Sequence, residues 1–167
     1  MLATAALQNN LDLIEKLFNS TKDQTESSLY AKLGILELCG WTEEAMDGLI
    51  RDSAKRVALS NSDAGYLEKR VIEKTYGFHY DDHLREMLMA VIGLVGLERI
   101  EAAVDKLKFS AMTADLGALK KVRNQIAHTH LQGTTTTLDG LSLTKVRLSR
   151  IHAGLLNLET TLISGGF

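Results

Sequence analysis

The chain contains no proline, and its one cysteine, Cys39, has no partner for an intrachain disulfide. The first absence argues against a turn-dense β-sandwich, whose turns draw on the fixed φ of proline, and it leaves long helices unbroken. The second gives no support for an oxidising compartment and makes Cys39 an expected buried small hydrophobe. Aromatic residues are scarce, at 5%. The longest apolar run, Met87 to Leu97, has eleven residues, against the roughly 20 a helix needs to cross a bilayer. No cationic stretch precedes an apolar one at the N-terminus, so neither a signal peptide nor a membrane association is expected, and the expected location is cytoplasmic. The G-x-x-x-x-G-K, G-x-G-x-x-G, G-x-S-x-G and H-E-x-x-H motifs are also missing, which sets aside P-loop, dinucleotide-binding, hydrolase-elbow and zincin chemistry.

What is present is the balance of a globular chain. Of 167 residues, 45% are apolar and 24% charged, enough for a single domain over residues 1–167 with one core. The net charge of −2 excludes a strongly basic nucleic-acid coat. Charge is nonetheless uneven: residues 1–100 carry 11 Lys/Arg against 16 Asp/Glu, and residues 101–167 carry 8 against 5. A bound polyanion would therefore be expected on the C-terminal third.

Hydrophobic periodicity predicts an all-α chain, an antiparallel bundle of about six helices. The first is expected over 2–20, with Leu7, Leu11, Ile14 and Phe18 on one stripe. A long second helix over 26–59 opens with Leu29, Leu33, Leu36 and Gly40 on a common stripe. Asn61-Ser62-Asp63 supplies cap chemistry for a third, over 64–76, which Gly77 ends. Asp81-Asp82 favours the start of a fourth, running to Lys108. Its apolar middle, Met87 to Leu97, marks it as the expected central helix, with Gly93 and Gly96 permitting close approach of a neighbour. A fifth, beginning between Ser110 and Thr113 and ending near His130, carries Leu116, Leu119, Val122 and Ile126. An exposed loop over 132–140 precedes the sixth, over 142–163, with Leu148, Ile151, Leu155, Leu158 and Leu162 inward.

The fifth helix carries the run Lys120-Lys121-Val122-Arg123-Asn124-Gln125-Ile126-Ala127-His128. At about 100° per residue, Lys121, Asn124 and His128 share the face opposite the apolar stripe, with Lys120 at its edge. A cation, an amide and an imidazole together suit a phosphodiester. Histidine gains or loses a proton near neutral pH, and the arginine fork matches phosphate oxygens. Arg123 and His128 stand roughly 140° apart on an ideal helix, so one chain alone aims them poorly at one phosphate. Two copies meeting across a two-fold axis remove that difficulty.

Arg123-Asn124-Gln125-Ile126-Ala127-His128 resembles the R-N-x-x-x-H form of the Arg-x(4–6)-His motif of the HEPN superfamily, small all-α domains found in toxins and defence ribonucleases. The specific resemblance covers residues 116–130. It implies a homodimeric, metal-independent endoribonuclease without cofactor, in which a 2′-hydroxyl attacks the adjacent phosphate to leave a 2′,3′-cyclic phosphate and a 5′-hydroxyl. By position, His128 would act as general acid or base, Arg123 would stabilise phosphate charge, and Asn124 would position substrate or His128. RNA is then the implied substrate, and an antitoxin or regulatory protein a further partner.

Each residue also has a plainer reading. Asn124 and His128 could form an ordinary polar helix face, Arg123 a structural ion pair, and Lys120 and Lys121 solvated lysines rather than RNA contacts. Glu37 is a candidate supporting acid for Arg123 or His128, although Glu37, Glu44 and Arg51 recur every seven residues as an exposed stripe would. His79 and His83 stand four apart, a metal-binding spacing on a helix, but the fourth helix is expected to start between them, and no metal site is assigned. Trp41, Met87 and Met89 are expected in the core and His152 in packing or at the surface. The competing function is a non-catalytic helical module that binds nucleotide, RNA or a partner protein.

Overall fold

The computed structural model describes residues 2–127, 138 and 140–167, and every regular element among them is helical. Six α-helices, α1 (Ala5–Ser20), α2 (Gln24–Arg56), α3 (Asn61–Tyr66), α4 (Arg85–Ala103), α5 (Lys106–Ala127) and α6 (Leu141–Ser164), are joined between α3 and α4 by shorter turns. None of the helices is long and apolar enough to cross a membrane.

Two of the long helices, α2 and α5, begin where a side chain satisfies free N–H groups. Asp23 accepts from the backbone N–H of Thr25 and Glu26 at 2.7 and 3.0 Å and starts α2. Asp105 does the same for α5, accepting from Leu107 and Lys108 at 3.0 and 3.1 Å. This cap corrects the expected reach of the fourth helix to Lys108: Val104 turns extended at ψ 150°, and α5 starts at Lys106, ahead of the predicted 110–113. The expected third helix is likewise shorter. Ser60 caps Asn61–Tyr66 through the N–H of Asp63, and the chain then loosens into a π-type turn, Leu67–Val71, and a 3-10 turn, Ile72–Lys74.

The core centres on α2 and α6. Leu148, Ile151, Leu155, Leu158 and Leu162 are buried, as the α6 stripe predicts, against Ile35, Leu38, Met46, Leu49 and Ile50 of α2. These two helices run parallel: Gly34 lies against Leu141 near one end, and Arg56 lies 3.9 Å from Glu159 near the other. Each has an antiparallel neighbour. Asn10 of α1 bonds Glu37 of α2 at 2.9 Å, and Asn157 of α6 accepts from the N–H of Asp105 ahead of α5 at 3.0 Å.

The expectation of a central α4 is overturned. Gly93 sits at φ +70°, ψ 168°, a break that splits α4, and beyond it Leu94 and Val95 are 54% and 62% exposed. A side chain at 93 would meet nothing within 4 Å, so the glycine serves conformation and not close approach. Gly96 is approached by the Phe167 ring. On α2, the Leu29, Leu33, Leu36 stripe faces outward, and a second stripe, Ala31, Ile35 and Leu38, takes the core.

Gly154 on α6 permits the closest approach to α5. A Cβ there would stand 2.3 Å from Met112 Cβ, inside contact distance. Gly154→Ala is expected to lower stability by about 1–3 kcal/mol through overpacking, despite alanine's better helix propensity. Chemical denaturation of the two proteins checks this, and an unchanged midpoint contradicts it.

Candidate functional site

The polar face of α5 is set by what its other face buries. Met112, Leu116, Leu119 and Ile126 point into the core, which leaves Lys120, Lys121 and Asn124 outward. These three, with Thr113, Gly117 and His79, line an open groove of about 550 Å³, within the size range of ligand clefts. Lys121 is exposed and has no ion-pair partner among the described residues.

His79 comes from the far side of the groove, at the head of a π-type turn over Tyr80–Leu84. This turn, not an α-helix, is what Asp81-Asp82 open. Asp82 Oδ2 accepts from Lys120 Nζ at 2.6 Å and lies 3.1 Å from His79 Nδ1, so one carboxylate oxygen joins the turn to α5. The Nδ1 atom is buried, and the contact is off the line of a hydrogen bond. The Lys120 hydrogen bond and charge hold Asp82 below the usual carboxylate range. His79 Nε2 faces α5 across Gly117, 3.9 Å from where a Cβ would stand. Behind it, the His79 backbone N–H donates to His83 Nδ1 at 3.1 Å. The His83 ring lies over Gly77, whose φ of +132° and missing side chain make room for it.

The turn is anchored through its neighbour in sequence. Tyr80 packs edge-on against Phe109 of α5 with ring centroids 4.7 Å apart, and its hydroxyl donates to Glu101 Oε1 at 2.8 Å. Arg85 Nε donates to the same oxygen at 2.8 Å. Burial pushes Glu101 upward, but the hydrogen bonds from Arg85 and Tyr80 outweigh it and hold the carboxyl below its ordinary value. Burial and the Glu101 hydrogen bond push the Tyr80 phenol strongly upward, so it stays a donor.

Arg123 is exposed, and its Nη1 donates to Asn124 Oδ1 at 3.3 Å. It does not line the groove; it lies near enough to α2 to favour the Cys39 thiolate electrostatically. Burial dominates there, and the Cys39 thiol is pushed up to about 12, an inert core group as expected. The structure does not bring Glu37 into the groove; its hydrogen-bond partner is Asn10. His128 and His130 lie outside the described residues, as does most of the expected 132–140 loop.

Of the other singled-out residues, Met87 is buried and Met89 half-buried. Trp41 is half-buried, donates to Ala3 O at 2.9 Å and meets the His152 ring at 6.1 Å. His152 Nε2 is 3.1 Å from Leu2 O, a packing role. Among the described residues, no three His, Cys, Asp or Glu side chains gather as metal ligands.

Sequence reasoning missed His79 as part of this face. The His79-x-x-Asp82 spacing is visible, but the link to Lys120 spans 38 residues and carries no local signal. No known protein family, curated protein or solved structure matches the chain.

Glu101→Gln removes the anchoring charge. Because the folded carboxyl is depressed, its contribution is present above the ordinary value of 4.5 and lost as pH falls through the folded value. The variant is expected to be about 1–2 kcal/mol less stable at pH 7, with the difference shrinking below about pH 4. Denaturation at both pH values checks it, and a pH-independent difference contradicts it.

Proposed function

We propose that the chain is a metal-independent endoribonuclease of HEPN type, a toxin or defence effector that cuts RNA by attack of the 2′-hydroxyl on the adjacent phosphate. The observation that supports this is the alignment of Lys120, Lys121 and Asn124 along one groove, beside the R-N-x-x-x-H segment and with Arg123 tethered to Asn124. Lys121 and the Asn124 amide suit a phosphate backbone, because charge-assisted hydrogen bonds to phosphate are short and strong, while Lys120 is held by Asp82 and shapes the groove wall. By the sequence motif, His128 transfers a proton and Arg123 stabilises charge on the phosphate.

Arg123 stands apart from the groove, so the proposal includes a homodimer in which each motif completes its twin. The outward stripe of α2, Leu29, Leu33 and Leu36, continues onto Leu13 and Leu17 of α1, and all five are between 40% and 58% exposed. Leu29, Leu33, Leu36 and Gly40 repeat at 4, 3 and 4 residues, the spacing of a coiled-coil seam. A side chain at Gly40 would meet nothing within 4 Å, which leaves room for a second backbone. The seam is flanked by Lys32 on one side and Glu37 on the other. In a parallel two-fold pair these face each other across the seam, five positions apart, as opposite charges do in coiled coils. Cys39, within electrostatic reach of Arg123, is one turn from Leu36. A second copy seated on this seam would set the two chains, each with its own motif, about one two-fold axis.

Two measurements test these statements. Labelled RNA incubated in EDTA is expected to yield 2′,3′-cyclic phosphate ends, with cleavage lost in His128→Ala and RNA binding retained; binding without cleavage by the native chain points instead to a non-catalytic RNA module. Light scattering is expected to return a dimer for the native chain and a folded monomer with impaired cleavage for Leu33→Glu. A native monomer at working concentration contradicts the shared site.

A further inference from the structure

Resting on the ribonuclease reading, we propose that His79, oriented by Asp82, is a second protonatable group of the groove and accepts the proton of the attacking ribose 2′-hydroxyl. Three features of the geometry point to it. The two ring nitrogens are divided: Nδ1 is buried 3.1 Å from Asp82 Oδ2, and Nε2 faces Gly117 on the groove floor. A carboxylate on Nδ1 with Nε2 toward the substrate is the arrangement that lets an imidazole take a proton and stabilises the imidazolium formed. Asp82 is itself fixed by Lys120 at 2.6 Å, so the pair is tied to α5 and not free on its turn. Gly117, where an added Cβ would stand 3.9 Å from Nε2, leaves open the space that any larger side chain would occupy.

The charged and titratable groups around the His79 ring favour this assignment. Asp82 and His83 come from its own turn, and Lys120 and Lys121 from α5. Lys120 is committed to Asp82, His83 Nδ1 to the His79 backbone N–H, and Lys121 remains available to an anion. Hydrogen bonds of catalytic pairs in unliganded sites are often poorly aligned and tighten on binding, which accords with the off-line contact between His79 and Asp82.

With RNA laid across Lys121 and Asn124, the 2′-hydroxyl gives its proton to Nε2 as its oxygen bonds to phosphorus. The bond from phosphorus to the 5′-oxygen breaks, and that oxygen takes a proton from the general acid, the role the R-N-x-x-x-H motif leaves to His128. His79 later returns its proton to solvent. Among the described residues, Asp82 bonds Lys120 and lies against the His79 ring, so it acts through that ring as a positioning residue.

The full chain, its RNA cleavage rate followed from pH 5 to 9, tests this. His79→Ala is expected to lose roughly 10²–10⁴-fold in rate, with RNA binding within a few-fold of native and partial recovery on adding free imidazole. Asp82→Asn is expected to lower the rate and shift the acidic limb of the profile, with Asp82→Glu recovering part of both. Gly117→Leu, at a half-buried position on the groove side of α5, is expected to fold and to block cleavage. A His79→Ala protein that cleaves at the native rate with the native pH profile overturns the role of His79 and leaves the ribonuclease reading standing. Absence of cleavage by the native chain overturns both.

Discussion

A single carboxylate, Glu101, holds the geometry on which the rest depends. It receives the Tyr80 hydroxyl and the Arg85 guanidinium on one oxygen, and Lys106 reaches its backbone carbonyl at the junction with α5. A partly buried carboxylate is costly to desolvate and stable only when its lone pairs are met. Here they are met by donors from the turn ahead of α4 and from the start of α4 itself, so the turn cannot shift along α4 without leaving charge unpaired. His79 and Asp82 sit on that turn. Their position over Lys120 follows from a bond made one residue away from either the imidazole or the groove.

The groove is then an electrostatic compromise. Asp82 lies among basic residues, and Lys120 spends its charge there. What remains is asymmetric: Lys121 is open to an anion, while Lys120 organises the wall. A sequence count of cations on this face overstates the free positive charge, because one of the two lysines is already neutralised by a residue 38 positions away. Non-specific attraction for a polyanion should thus be weaker than the Lys-Lys pair suggests, and local geometry correspondingly more important.

Legibility followed the range of the interactions. The helices with a clean 3.6-residue stripe, α1 and α6, lie close to their expected bounds, because burial of one face decides them. The outward face of α5 was legible for the same reason, since Leu116, Leu119 and Ile126 fix its roll. The α4 expectation failed because an apolar run does not say which side is covered; a single glycine outside helical φ and ψ turned Leu94 and Val95 to the surface. α2 carries two apolar stripes, and composition alone does not choose between them. The boundary at Val104 is readable in principle from Asp105 as a cap, but the apolar spacing of Leu97, Ile100, Val104 and Leu107 runs past it unbroken. His79 required knowing which turn packs against α5, which depends on the Tyr80 and Glu101 pairing across 21 residues.

The break at Gly93 has a chemical consequence of its own. Nothing crowds that position, yet its φ of +70° with ψ of 168° is the mirror image of an ordinary extended backbone. The veto on other residues is therefore one of handedness and not of volume. A D-amino acid introduced there by chemical synthesis would rest in the conformation that every L-residue finds strained, and would stiffen the bend in α4.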